Sequence, residues 1–162
     1  MNYSSSLNQI YIYIALSLFI SFFVNIFRID SLPYIAIPLE KIEDIAQIEN
    51  SSLQLQIREI SIDVAERLFS DSVLFIDARA EEYYHEGHIP NSICNDDFDS
   101  LILQVEDMIK YSDGFVVYCS DDDCGSSEDL AYQLQDQGFT NIYLFKGGWK
   151  QWMENNLAIE LK

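Results

Sequence analysis

Between Ile10 and Phe27 the chain carries 18 residues without a charge, dominated by Ile, Leu, Phe and Tyr. Wound as an α-helix at about 1.5 Å per residue, this stretch reaches ~27 Å, close to the thickness of a bilayer's hydrocarbon layer. It is apolar on every side, whereas a core helix in a globular domain keeps a polar face. A cleaved signal peptide would begin with basic residues and end on small ones. Here no Lys or Arg precedes the segment, and Val24, Ile26 and Phe27 are bulky. The expectation is one uncleaved transmembrane helix over residues 7–27, in contact with the lipid bilayer, in a single-pass membrane protein. Tyr11, Tyr13 and Arg28 stand where interfacial anchors belong. Only the N-terminal amine precedes the segment, while Arg28 and Lys41 follow it. By that small difference the positive-inside rule puts the rest of the chain on the cytoplasmic side.

Residues 28–50 read as a linker. They hold Pro33 and Pro38, then Ile42, Ile45 and Ile48 at every third position, which suits either a short amphipathic helix or a plain connector. Residues 51–162 suffice for one domain of ordinary size. The net charge of -18, from 27 acidic against 9 basic residues, argues against nucleic acid as a partner. Displacing phosphate counterions needs a Lys/Arg patch, and the chain has none.

Within the domain, Val73–Ile76, Phe115–Tyr118 and Ile142–Phe145 are continuous apolar runs, as expected of strands covered on both faces. Leu53, Leu55 and Ile57 alternate with polar residues, as in a strand with one buried face. Between the runs lie two helical stripes. One is Ile62, Ala65, Leu68 and Phe69, the other Leu101, Ile102, Val105, Met108 and Ile109, with Ser61 and Asp99 as N-caps. Ser126-Ser127-Glu128-Asp129 has the form of a capping box opening a third helix that ends at Gly138. Strands alternating with helices predict an α/β fold, a mostly parallel sheet with helices on both faces.

Such sheets bind ligands outside the carboxyl ends of their strands. Asp77 ends one apolar run and Cys119 another, just before the loop Ser120–Gly125. A thiol there meets backbone N–H groups and a helix N-terminus, both of which favour the thiolate. From position alone, a buried inert cysteine is the commoner case.

Phe75-Ile76-Asp77-Ala78-Arg79, followed by Gly87-His88-Ile89-Pro90-Asn91-Ser92, resembles the paired signature of the rhodanese family. Val116-Val117-Tyr118-Cys119 is similar to its active-site strand, and Gly138 to Tyr143 with Gly147-Gly148-Trp149 and Trp152 to its last strand and helix. The likeness runs over roughly residues 56–160. It implies the rhodanese fold, a five-stranded, mostly parallel sheet flanked by helices and here preceded by the transmembrane helix. It also implies a sulfurtransferase in which Cys119 accepts sulfur from a sulfane-sulfur donor, carries it as a persulfide and passes it to a thiol acceptor. That is two-step covalent catalysis with no metal or organic cofactor.

The loop departs from the family pattern. It reads Cys119-Ser120-Asp121-Asp122-Asp123-Cys124-Gly125-Ser126-Ser127, with Cys124 where the family places an Arg. Each aspartate at ~5–10 Å would oppose a thiolate by a few tenths to about 1 kcal/mol. The same field opposes anionic thiosulfate, so a neutral or protein-bound donor is expected. Cys124 opens a second mechanism, resolution of an oxidised Cys119 to a disulfide, provided that the loop curls. A third reading is a catalytically silent binding module that offers its acidic loop to a basic partner. Asp77 and Arg79 read as an ion pair fixing the strand end, with Arg79 as the nearby cation. His88 reads as a hydrogen-bonding turn residue, Cys94 as a core thiol, and Trp149 and Trp152 as packing residues.

Overall fold

The computed structural model of the chain describes residues 3–27, 40–42, 56–121 and 124–161. It comprises two units, Met1–Pro38 and Leu39–Lys162. The first holds helix α1, Tyr3–Phe27, of 25 residues. From residue 8 to residue 24 every side chain is exposed, apolar ones included, so no face of this stretch is a core face. Among the described residues no helix is long and apolar enough to cross a membrane. The described side chains of α1 run only from 8 to 24 and resume at Phe27, so the membrane-crossing expectation for 7–27 stands on the sequence alone.

In the second unit β1 (Glu40–Ile42), β2 (Gln56–Ile60), β3 (Leu74–Asp77), β4 (Gly114–Tyr118) and β5 (Asn141–Phe145) form one sheet in the order β1-β2-β5-β4-β3. Every pairing is parallel. The helices are α2 (Ile62–Ser70), α3 (Glu81–Glu86), α4 (Phe98–Met108), α5 (Ser126–Asp136) and α6 (Gly148–Glu154).

Strand side chains alternate between faces. Phe75, Val116, Tyr118, Tyr143 and Phe145 pack with Val64, Ala65 and Leu68 of α2 and Trp152 of α6. Leu74, Ile76, Phe115, Val117, Ile142 and Leu144 pack with Leu101 and Val105 of α4 and Ala131 and Leu134 of α5. Both faces are covered, which is why the central strands read as unbroken apolar runs.

Several expectations change. Glu40–Ile42, inside the segment read as a linker, is an edge strand with Lys41 opposite Glu59 and Ile42 opposite Ile60. Ile42 is 2 % exposed. A β-branched residue gains more apolar burial in that slot than on a solvent-facing helical turn. Ile45, Ile48, Leu53 and Leu55 lie outside the described residues. The N-cap of α4 is Asp97, not Asp99: its carboxylate accepts the Ser100 N–H at 3.0 Å. Asp99 instead sits in the first turn, where a negative charge meets the helix dipole. Ser61 occupies the N-cap position of α2 without a side-chain cap bond. Gly125 caps α5, so Ser126 and Ser127 lie within its first turn and the capping box does not form.

Ile42→Ala should cost about 2–5 kcal/mol, the range for emptying a buried aliphatic site. Urea denaturation of the 39–162 fragment reads this, and an unchanged midpoint would show that β1 contributes nothing to stability.

Candidate functional site

Cys119 is the first residue after β4, at the carboxyl edge of the sheet. Its predecessor Tyr118 is fully buried, and the phenol oxygen accepts the Ile89 N–H at 3.2 Å and lies 3.2 Å from Ser92 Oγ. Burial, with the Asp77 carboxylate nearby, raises the Tyr118 pKa and keeps the phenol protonated. One strand residue thus ties the Gly87–Ser92 turn to β4. The next two are held by the last helix: Trp149 N–H donates to the Cys119 carbonyl at 2.8 Å and Lys150 N–H to the Ser120 carbonyl at 2.9 Å. Gly148 makes this approach possible. Its φ is +55°, and a Cβ there would stand 2.3 Å from the Cys119 oxygen.

The loop curls. Cys124 N–H donates to the Asp121 carbonyl at 3.2 Å, bringing the Cα atoms of Cys119 and Cys124 to 6.2 Å, and the two sulfurs form a disulfide. Cys119 is 2 % exposed, whereas Cys124 is only partly buried. Cys124 directly precedes Gly125, so the α5 N-terminus expected to favour a thiolate at Cys119 adjoins Cys124 more closely. Ser120, Gly125 and Ser126 are exposed, Asp121 is partly buried and Ser127 buried. Asp122 and Asp123 lie outside the described residues.

Arg79 is committed to structure. Its Nη2 lies 2.6 Å from Asp77 Oδ2 and 2.8 Å from the Gly87 carbonyl, and Nε donates to both Asp77 oxygens. Burial alone would lower the Arg79 pKa, but the bonds and charge of Asp77 outweigh it and the net shift is upward. The guanidinium also lies 4.9 Å from the Trp149 ring centroid, a cation–π contact that gives Trp149 a task beyond packing. His88 Nδ1–H donates to the Tyr84 carbonyl at 2.8 Å and the ring stacks on Tyr84, so it serves the turn. Cys94 is half-buried, and its thiol donates to the Arg79 carbonyl at 3.2 Å. Burial, then Asp77, pushes that thiol up to about 12.

The sequence reading missed Tyr118 as a tether and the lysines flanking the Gly147-Gly148 turn. Lys146 lies 3.7 Å from Glu59 and 3.5 Å from Glu128, while Lys150 is exposed beside Ser120. A signal existed for Tyr118, since strand alternation puts the residue before Cys119 on the core face. None existed for the lysines, because Lys146 reaches Glu59 through the pairing of β5 with β2, and Lys150 reaches Ser120 through the docking of α6.

The model of the rhodanese-like domain matches residues 62–155. The chain belongs to the rhodanese-like domain family. Solved structures agree on the fold. A thiosulfate sulfurtransferase from Pseudomonas aeruginosa is 17 % identical with a TM-score of 0.55, over 65 % of this chain and 20 % of that one. A polysulfide-sulfur transferase homodimer from Wolinella succinogenes is 21 % identical with a TM-score of 0.52, over 65 % and 80 %. A protein from Bacillus halodurans is 20 % identical with a TM-score of 0.53, over 65 % and 76 %. No curated protein matches the sequence.

Three outcomes are expected of this rhodanese-like domain. Arg79→Ala, by leaving Asp77 buried and unpaired, should cost about 3–5 kcal/mol in chemical denaturation; a loss under 1 kcal/mol would refute that role. In the reduced protein at pH 8, iodoacetamide should modify Cys119 and Cys124 and spare Cys94. The raised Cys94 pKa also has a stability sign: its contribution is complete below about 9 and is lost as pH rises towards 12. Cys94→Ala should therefore flatten the alkaline limb of a stability–pH profile.

Proposed function

We propose that this rhodanese-like domain is a sulfurtransferase that takes a sulfane sulfur onto Cys119 as a persulfide, and that residues 7–27 anchor it in a membrane. The observation carrying the first part is a cysteine at the carboxyl end of a central strand, where main-chain bonds from α6 hold its own carbonyl and that of Ser120, in a chain of this family. The Cys119 thiolate attacks the sulfane sulfur, the donor leaves with the electron pair of the broken bond, and a thiol acceptor later removes the sulfur. The chemistry needs no metal or organic cofactor.

The electrostatics select the donor. Arg79 is paired with Asp77, and Lys146 lies between Glu59 and Glu128, leaving Lys150 as the exposed cation beside Ser120. The loop's aspartates oppose an anion. A neutral or protein-bound persulfide donor fits better than free thiosulfate, the substrate in the name of the Pseudomonas protein.

The disulfide favours a second reading, a thiol-redox protein cycling between the Cys119–Cys124 disulfide and the dithiol. Intact mass of the reduced full chain after treatment with thiosulfate or polysulfide tests both, with Cys119→Ser and Cys124→Ser alongside. In Cys124→Ser the expected result is a gain of one sulfur, absent when Cys119 is also replaced. No gain from any donor would leave a redox protein or a silent binding module as the account.

The membrane part rests on the charge-free run of the sequence from Ile10 to Phe27, ~27 Å long as a helix. Its partner is then the lipid bilayer, and the charge bias around the segment favours a cytoplasmic domain. After expression, the chain should stay with membranes through an alkaline carbonate wash, and a variant lacking residues 3–27 should not. Release of the full chain by the wash would refute the anchor.

A further inference from the structure

We infer that Cys124 turns the Cys119 persulfide into free sulfide, so that the domain acts as a sulfane-sulfur reductase consuming an external dithiol, and that this dithiol attacks at Cys124. The inference rests on the persulfide reading above and names the fate of the sulfur and the class of co-substrate.

Three observations carry it. First, the loop is closed in the direction the reaction needs. The Asp121–Cys124 turn folds the second cysteine back, and both strand-side carbonyls are pinned to α6, so the Cys124 sulfur reaches the Cys119 sulfur within bonding distance. An internal thiol so placed competes with any diffusing acceptor at a large effective concentration. Second, the sulfurs differ in access. Cys119 is 2 % exposed and Cys124 partly exposed, so a thiol carried on another molecule meets Cys124 first. Third, Cys124 adjoins the N-cap of α5, a helix of 11 residues, and an adjacent helix N-terminus favours a thiolate there. Cys94 does not compete, since its thiol stays protonated and bonded to the Arg79 carbonyl.

The steps balance. The Cys124 thiolate attacks Sγ of the Cys119 persulfide, and a Cys119–Cys124 bond forms as the bond to the outer sulfur breaks. The outer sulfur departs with that electron pair as hydrosulfide. Two thiols are oxidised to a disulfide, and the sulfane sulfur is reduced by two electrons. One thiolate of the external dithiol then attacks the Cys124 sulfur and expels Cys119 as thiolate. Its second thiol closes its own disulfide and expels Cys124. The reductant is a dithiol, small or protein-borne, and Cys119 emerges ready for the next donor.

The test uses the full chain in detergent, reduced, desalted and kept without oxygen. It is mixed with thiosulfate or polysulfide, and sulfide release and intact mass are followed before any thiol is added. Wild type should lose two hydrogens and, with thiosulfate, release one sulfide per chain. Cys124→Ser should keep the sulfur and release it only when dithiothreitol is supplied, about tenfold or more slowly. A wild type that retains the persulfide as firmly as Cys124→Ser would overturn the inference and leave the sulfurtransferase reading intact. A Cys124→Ser chain that gains no sulfur from either donor would overturn both. For the direction of regeneration, glutathione is added to the disulfide form and the reaction is stopped early in acid. Peptide mapping should place glutathione on Cys124, and glutathione mainly on Cys119 would overturn the assigned direction.

Discussion

The carbonyl oxygen of Cys119 is the point through which the strand end, its loop and the last helix are joined. It accepts the Trp149 N–H at 2.8 Å, and the approach is so close that only a residue without Cβ fits at Gly148. Such a bond contributes only about 1 kcal/mol, so its importance is geometric. With Cys119 and Ser120 held at one end and the Gly125 carbonyl accepting Asp129 N–H at the other, the loop between has few ways to turn. One of them puts Cys124 on Cys119.

The buried Asp77–Arg79 pair does the same for the opposite side of the site. Arg79 bridges the end of β3 to the Gly87 carbonyl and lies over Trp149, so β3, the turn after α3 and the start of α6 share one guanidinium. A buried arginine in that role is not available to an incoming anion. With Lys146 between two carboxylates, Arg79 and Lys146 hold the fold at this edge of the sheet, and Lys150 stands exposed beside Ser120. A second sulfur in the loop offers a route in which the chemistry depends on thiol–disulfide exchange and needs no anion cradle.

The central strands and the packing helices were legible in the sequence because each buries a full apolar surface. Val116 and Val117 serve opposite faces, and both faces are covered. The edge strand was not legible: three residues carry no periodicity, and Ile42 is apolar for a reason only Ile60 reveals. Caps were misplaced where neighbours offer the same chemistry. Asp97 and Asp99 are equivalent as letters, but the Asp97 carboxylate accepts both the N–H and the hydroxyl of Ser100 three residues on. In the site, Asp77, Arg79 and Cys119 were legible as strand-end residues, while Lys146 meets Glu59 through strand pairing and Lys150 comes to Ser120 through the docking of α6.

By itself the sequence determined the alternation of strands and helices, the cysteine at the end of an apolar run, the excess of acid and the charge-free segment near the N-terminus. These follow from local periodicity and composition, which need no knowledge of distant contacts. Tertiary structure alone decided that Glu40–Ile42 joins the sheet, that Arg79 is consumed by Asp77 and Gly87, and that Cys124 meets Cys119. Each of these depends on groups brought together by packing, and the direction in which a loop closes is set by what holds its ends.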